Sequence, residues 1–287
     1  MTKSKQALWV TGAIILILLL SVPCWAQYNP GLPLDANCVG LWNMETITAS
    51  EADASQNSNT LLAGNATLDN SIYVQGAGSA DFSSLLGMYR DDTDLSSDFP
   101  FKYGTTNKVI SVCAWFRLDD FEKTQVIAAK WASDSTPPIR GWWLLAGASG
   151  NLAFQIDADG EAADPETASI THTLNTSIWF HVGMTYREDT KAWTLRLYDS
   201  NDTTVYSNSG TFADGGVWLS DVPFFVGSMS DARALTSLWY PIDGKIDEVA
   251  IFNDILTADE IDEIRQGTYG ATAAGRQNWW WRRRHNN

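Results

Sequence analysis

The 287-residue chain is short of several groups on which protein chemistry is commonly built. It holds three cysteines and three histidines. Cys24 falls in the segment expected to be an N-terminal leader, which leaves Cys38 and Cys113. Two are too few for a cysteine-rich zinc site. Both lie in apolar runs, CVGLWNM and VISVCAWFRL, and suit either one disulfide in an oxidising compartment or two separate buried thiols. His172, His181 and His285 are scattered, and the chain has no His-Glu-x-x-His, no Gly-x-Ser-x-Gly elbow and no Walker loop. His181, inside WFHVGMTYR, reads as filling a strand face. Basic residues are also scarce. Nineteen Lys and Arg against 34 Asp and Glu give a formal net charge of −15, a surface that repels nucleic acid and excludes it as a partner. Such acidity fits an extracytoplasmic protein that meets neutral sugars or divalent cations, and it is also common in secreted proteins of every kind.

Long apolar runs are limited to one, from residue 7 to residue 22. Lys3 and Lys5 precede it and SVPCWAQ follows, the pattern of a signal peptide over residues 1–26 cut after Ala26. An uncleaved anchor is the alternative, because the run is near the lower length for spanning a bilayer. No second run is long enough to span. The expectation is therefore a chain that is secreted, periplasmic or at the cell surface, with no stable membrane span after signal cleavage. The opposite end, AAGRQNWWWRRRHNN, reads as a disordered Trp/Arg-rich tail over residues 271–287. Its aromatic and cationic run suits a membrane interface or an acidic partner and is far too short to span.

Between the ends, aromatic and β-branched residues alternate with polar ones over five to eight residues, bounded by Gly, Asn, Asp and Ser. Runs such as VISVCAWFRL, TQVIAAKW, GWWLLAG, NLAFQIDA, WFHVGMTYR, KAWTLRLYDS and GKIDEVAIF read as strands. The pattern predicts an all-β fold: a two-sheet antiparallel jelly-roll β-sandwich with one short C-terminal helix. Residues 27–36 form a linker and residues 37–270 a single domain. A helix is expected within the segment 256–267, where Thr257 and Glu260 make a capping box, Gly267 stops the turn, and Ile261 and Ile264 share the packing face.

The acids of GKIDEVAIFNDILTADEIDEIRQG invite a test for glycosidase chemistry, which needs two carboxyl groups about 5–5.5 Å apart in a retaining enzyme. Glu260 and Asp262 have the i, i+2 spacing that would converge on a strand, but the capping box puts them on a helix, where they diverge. Asp247 and Glu248 are adjacent on a strand, so alternation sends them to opposite faces. On this reading the chain is not an enzyme.

Four stretches, in order, resemble a known family. LWNMET with DASQNSNTL resembles an opening strand and loop, VISVCAWFRL a central strand, IWFHVGMTYR another, and GKIDEVAIFNDILTADEI a closing signature. Together they resemble laminin-G-like, concanavalin A-like lectin/glucanase jelly-roll domains over residues about 38–268. The resemblance implies a mostly non-catalytic, bacterial-type extracellular domain that binds glycans or proteins and often carries calcium. It also brings the oxygen-rich loop at residues 53–59 near the last strand, so Asp53, Asn57 and Asp247 become the expected Ca2+ ligands, with Glu45 and Glu248 as secondary candidates. The loop has Gln56 where the family has Gly. Asx turns made by Asp53 and its neighbours are the structural alternative.

Fourteen tryptophans invite a carbohydrate reading. Trp42, Trp115, Trp179 and Trp193 read as core. The candidates for sugar contact are Trp131, Trp218 and Trp239 in or beside expected loops, with Tyr240, and the pair Trp142 and Trp143, of which one must point away from the core. The resulting expectation is a secreted carbohydrate-binding or adhesion module, its partner an extracellular glycan or cell-surface component. The alternatives are a glycoside hydrolase or polysaccharide lyase on the same fold, or a protein-interaction component of the cell envelope.

Overall fold

The computed structural model describes residue 29 and residues 31–82, 87–132, 139–160, 165–230 and 238–270. The expected leader and the Trp/Arg-rich tail lie outside the described residues. Short strands lead in: β1 (Cys38–Trp42), β2 (Ser50–Glu51), β3 (Leu61–Leu62), β4 (Thr67–Asp69), β5 (Ser79–Asp81) and β6 (Met88–Arg90). Long ones follow: β7 (Val109–Leu118), β8 (Gln125–Ala132), β9 (Ile139–Ala146), β10 (Leu152–Ile156), β11 (Glu166–Ile170), β12 (Trp179–Arg187), β13 (Ala192–Asp199) and β14 (Thr204–Thr211). The chain then passes through β15 (Phe224–Val226), β16 (Met229–Ser230), β17 (Leu238–Trp239) and β18 (Gly244–Phe252) to α1 (Ala258–Arg265), the one α-helix among the described residues.

These strands form the expected two-sheet sandwich. The first sheet has the order β14-β13-β12-β7-β18-β5-β4, with β1 also on β18. The second runs β11-β10-β9-β8-β15-β6-β3-β2, with β16 and β17 attached at β8. Period-2 alternation builds the core between them. Ile110, Val112, Ala114, Phe116 and Leu118 of β7 meet Trp142, Leu144 and Ala146 of β9 and Leu152, Phe154 and Ile156 of β10 in one buried cluster.

The outer face of the first sheet is covered by α1. Thr257 Oγ1 accepts from the Glu260 N–H at 3.2 Å while Glu260 Oε2 accepts from the Thr257 N–H at 2.8 Å, so the capping box is formed as expected. Ile261 and Ile264 pack on Leu41, Cys113, Ala250 and Phe252. Gly183 of β12 allows this approach, because a Cβ there would lie 2.4 Å from Ile261 Cγ2. Cys38 and Cys113 are both free and buried. Cys38 pairs with Phe252 and Cys113 with Ala250, from the two strands on either side of β18. The two-thiol alternative holds.

β18 carries a departure from regular pairing. Its one edge runs along β7, but its other edge is shared, with β5 opposite Lys245 and Ile246 and β1 opposite Val249 to Phe252. At the changeover the register against β7 shifts between Asp247 and Ala250, and Glu248 adopts φ +52°. This is a β-bulge. Ile246 and Val249 both face the inner core, while Ala250 and Phe252 face the helix side. Two residues between two inward-facing ones cannot alternate. Asp247 and Glu248 therefore share the outer side, and the expectation of opposite faces is corrected: one inserted residue cancels the alternation.

Candidate functional site

The outer face of the second sheet gathers four of the six expected sugar-contact residues. Trp131 and Trp143 stack with ring centroids 5.1 Å apart and planes at 19°. Tyr240 stands edge-on to Trp143 at 5.6 Å, and Trp239 edge-on to Tyr240 at 6.0 Å. Trp131 lies within β8 rather than in a loop. The backbone holds the group in place, since the Val126 N–H donates to the Tyr240 carbonyl at 2.9 Å. Trp131 and Trp143 are mostly covered, whereas Trp239 and Tyr240 are half-buried. Trp142 and Trp143 do split between faces. Trp142 is fully buried in the inner core beside Phe224, where no ligand reaches it. Trp218 is 45% exposed but stands elsewhere, with its ring against Gly160.

A polar row continues from the indoles across the strands. Cross-strand register places Ala129, Trp143, Gln155 and Thr167 opposite one another on β8, β9, β10 and β11. Trp143 Nε1 donates to Gln155 Oε1 at 2.6 Å, and Gln155 Nε2 donates to Thr167 Oγ1 at 2.9 Å. The Arg140 guanidinium lies 5.5 Å from the centre of the Trp131 ring. Gln155, Thr167 and Arg140 are not among the residues expected from sequence. The signal for Gln155 was present, because NLAFQIDA is a strand in which Phe154 and Ile156 face inward.

The expected calcium ligands are placed differently from one another. Asp53 spends both carboxylate oxygens on its own loop and on β1: Oδ1 accepts from the Leu41 and Ser55 N–H groups, and Oδ2 from Ser55 Oγ and the Asn59 N–H, all within 2.9 Å. Asn57 Nδ2 donates to the Cys38 carbonyl. At the bulge, Asp247 Oδ2 accepts from the Val74 and Gln75 N–H groups at 2.8 and 3.2 Å. Asp247 Oδ1, Glu248 Oε1, Asn43 Oδ1 and Gln75 Oε1 are buried there without a hydrogen-bond partner. Burial pushes the Asp247 pKa up to about 8, against the pull of the two N–H donors, and the Glu45 charge adds to the rise. Burial raises Glu248 well above the carboxylate range, with Asp247, Glu45 and Glu51 reinforcing it.

Among the described residues no three or more His, Cys, Asp and Glu stand close enough to hold a metal ion together. The bulge offers two carboxylates, with amide oxygens beside them. That hard-oxygen donor set fits calcium chemistry, and orphaned buried oxygens are what such an ion would satisfy. A cavity of about 130 Å3 adjoins Glu248, lined also by Asn29, Leu32, Pro33, Leu41 and Asn43. It is below the size of ordinary ligand pockets.

The other acids and histidines are engaged structurally. Asp262 pairs with Arg196 at 2.6 Å, and Glu260 closes the helix cap, so these two do not converge. His181 is buried against Trp115 at 5.1 Å, and burial, then Arg265 and Arg196, push its pKa down to about 3. His172 lies 3.0 Å from Asp199 and stacks on Tyr206 at 4.0 Å. The Tyr206 hydroxyl donates to Asp202 at 2.6 Å, a bond that raises the phenol's pKa and holds it in its neutral, protonated form.

A family model described as the concanavalin A-like lectin/glucanases superfamily, of laminin-G type, matches residues 91–262. No curated protein matches the chain. Among solved structures, a Trypanosoma rangeli sialidase in complex with the inhibitor DANA aligns at 15% identity and TM-score 0.53, over 81% of this chain and 32% of that one. The Ruminococcus gnavus IT-sialidase CBM40 bound to α2,3-sialyllactose aligns at 12% identity and TM-score 0.43, over 54% and 80%. The NanB sialidase of Streptococcus pneumoniae aligns at 18% identity and TM-score 0.46, over 70% and 27%. The chain thus spans about a third of the trypanosomal enzyme, and the likeness is one of fold.

Proposed function

The chain belongs to the concanavalin A-like lectin/glucanases superfamily, and from that premise we propose that it is a non-catalytic carbohydrate-binding module acting outside the cytoplasm. The observation that carries this reading is the continuity of the Trp131–Trp143–Tyr240 aromatic cluster with the Gln155–Thr167 row on one sheet face. A sugar ring has one apolar face and a rim of hydroxyls. Binding it takes a flat apolar surface beside fixed hydrogen-bonding groups, the composition of small-molecule sites generally. Trp239 and Tyr240, half-buried at the edge of the stack, are the reachable rings, and Gln155 and Thr167 supply an amide and a hydroxyl. The glycan is of extracellular or cell-surface origin.

A glycan array with the full chain tests this. The expected result is a ligand weakened by Trp239→Ala and, by about three- to tenfold, by Gln155→Ala, the loss of one neutral hydrogen bond. An array without any ligand, or a ligand indifferent to both substitutions, overturns the reading in favour of a protein-interaction role.

Structural calcium forms the second part of the proposal, with Asp247 and Glu248 as its carboxylates and Asp53 and Asn57 left to their turn. The ion would supply positive charge where only acids act on Glu248. Chelation is expected to lower the melting temperature of the wild-type chain and to leave Asp247→Asn unmoved. Identical wild-type melts with calcium and with chelator would remove the metal.

A further inference from the structure

One lysine and one aspartate are shut together at the inner face of the second sheet. Asp92 opens a 3-10 turn (Asp92–Asp94) just after β6, and Lys130 lies near the end of β8. The strand between β6 and β8 is β15, so the pair reaches across a neighbour. Lys130 stands opposite Trp142 in the β8–β9 register, which sends its side chain inward with that indole. Its exposure is 1%, and that of Asp92 is 4%. Lys130 Nζ donates to Asp92 Oδ1 and to the Val222 carbonyl, each at 2.6 Å, and the Tyr103 N–H donates to the same Asp92 oxygen at 3.3 Å.

We propose that Lys130 and Asp92 condense within the folded chain, without an enzyme, to an isopeptide bond between Lys130 Nζ and Asp92 Cγ, releasing one water. The ammonium first passes a proton along the short bond to Asp92 Oδ1, leaving an amine beside a carboxylic acid. The amine lone pair attacks Cγ and forms the C–N bond. A second proton then moves from nitrogen to Oδ1, the C–Oδ1 bond breaks, and that oxygen leaves as water. Oδ2 remains as the amide oxygen, and no oxidant or reductant is consumed. The Val222 carbonyl fixes the nitrogen, and the Tyr103 N–H fixes the carboxyl.

In open water an ammonium and a carboxylate stay apart from this reaction, because hydration stabilises both charges. Here burial penalises both, and condensation removes both at once. Holding the groups in contact also supplies an effective concentration of up to about 10^5–10^8 M in well-oriented cases. A second lysine shows what the chemistry requires. Lys245 Nζ lies as close to Asp81 and Asp69, at 2.6 and 2.7 Å, but those two carboxylates are 24% and 16% exposed. Against the cost of burial, their hydrogen bonds raise the pKa of Lys245, whereas burial lowers that of Lys130 despite the support of Asp92. Lys130 thus yields its lone pair more readily, and Lys245 stays an ion pair. Cys38 and Cys113 are free, so an amide would give the sandwich a covalent tie that its thiols do not.

Tryptic mapping of the full-length chain tests this. An acylated Lys130 resists trypsin, so the expected product is residues 91–102 joined to residues 124–140, one water lighter than the two peptides together, with fragment ions placing the link at Asp92 and Lys130. Cleavage after Lys245 should proceed normally. Lys130→Arg keeps the cation but cannot form this amide under the same conditions, and its intact mass should show no loss of water, while that of the wild type does. Linear peptides cut after Lys130 with no joined species overturn the proposal. So does a water loss of equal size in Lys130→Arg, or a link at Lys245 with Lys130 free.

Discussion

Lys130 is 1% exposed, yet it sits in the apolar strand β8 with its ammonium 2.6 Å from both Asp92 and the Val222 carbonyl. Burial pulls its pKa down while Asp92 supports the charged form. Removing one partner of such a pair leaves an uncompensated buried charge, which costs about 3–5 kcal/mol. Lys130→Met is expected to lose that much in urea unfolding, and a loss under about 1 kcal/mol would mean the pair is dispensable. None of this was readable in TQVIAAKW, because Asp92 is 38 residues away in sequence. His181 was more legible. Its placement on an apolar strand pointed to packing, and the structure adds a sign to its titration. In the unfolded chain the imidazole takes a proton near 6.5, whereas the folded one resists until about 3. Stability contributed by His181 therefore falls as pH drops below about 6.5, by about 1.4 kcal/mol per unit, until the folded pKa is reached. Between pH 7 and 4.5, His181→Gln should flatten the fall in melting temperature. Parallel curves for the two proteins would refute the assignment.

At the scale of elements, the legible features were those set by local chemistry. The capping box at Thr257 and Glu260 is a four-residue pattern, and the helix begins where it was expected. Thr257→Ala should cost about 1 kcal/mol in chemical denaturation through the lost cap. A neutral result would mean that Ile261 and Ile264 alone hold the helix in place. The features that escaped depend on partners. The bulge in GKIDEVAIF exists because β18 changes edge partner from β5 to β1 midway, and period-2 reasoning along one strand cannot register a change in its neighbours. The spacing did carry a trace of it: Ile246, Val249 and Ile251 cannot all face inward without an extra residue after Ile246. The assembly of Trp131 with Trp143 was hidden for a similar reason, since it rests on β8–β9 register and on β16 and β17 closing over the pair.

For the whole molecule, the alternating pattern and turn spacing were enough for a two-sheet sandwich, and the charge balance was enough for its electrostatic character. With 34 acids against 19 basic residues, the folded state brings like charges together and opposes its own compaction. Two kinds of interaction then respond differently to salt. Repulsion between exposed carboxylates is screened over about 10 Å at 0.1 M, whereas buried pairs such as Lys130–Asp92 are screened much less. Lys245, bridged to Asp69 and Asp81 at 2.7 and 2.6 Å with only 6% of its side chain exposed, belongs to the protected class. Raising sodium chloride from low to physiological strength, with chelator present so that divalent ions play no part, should therefore raise the melting temperature. A fall would mean that partly exposed attractive pairs, such as Lys108–Glu188 at 3.5 Å, outweigh the repulsion and that the acidic surface is organised rather than merely crowded.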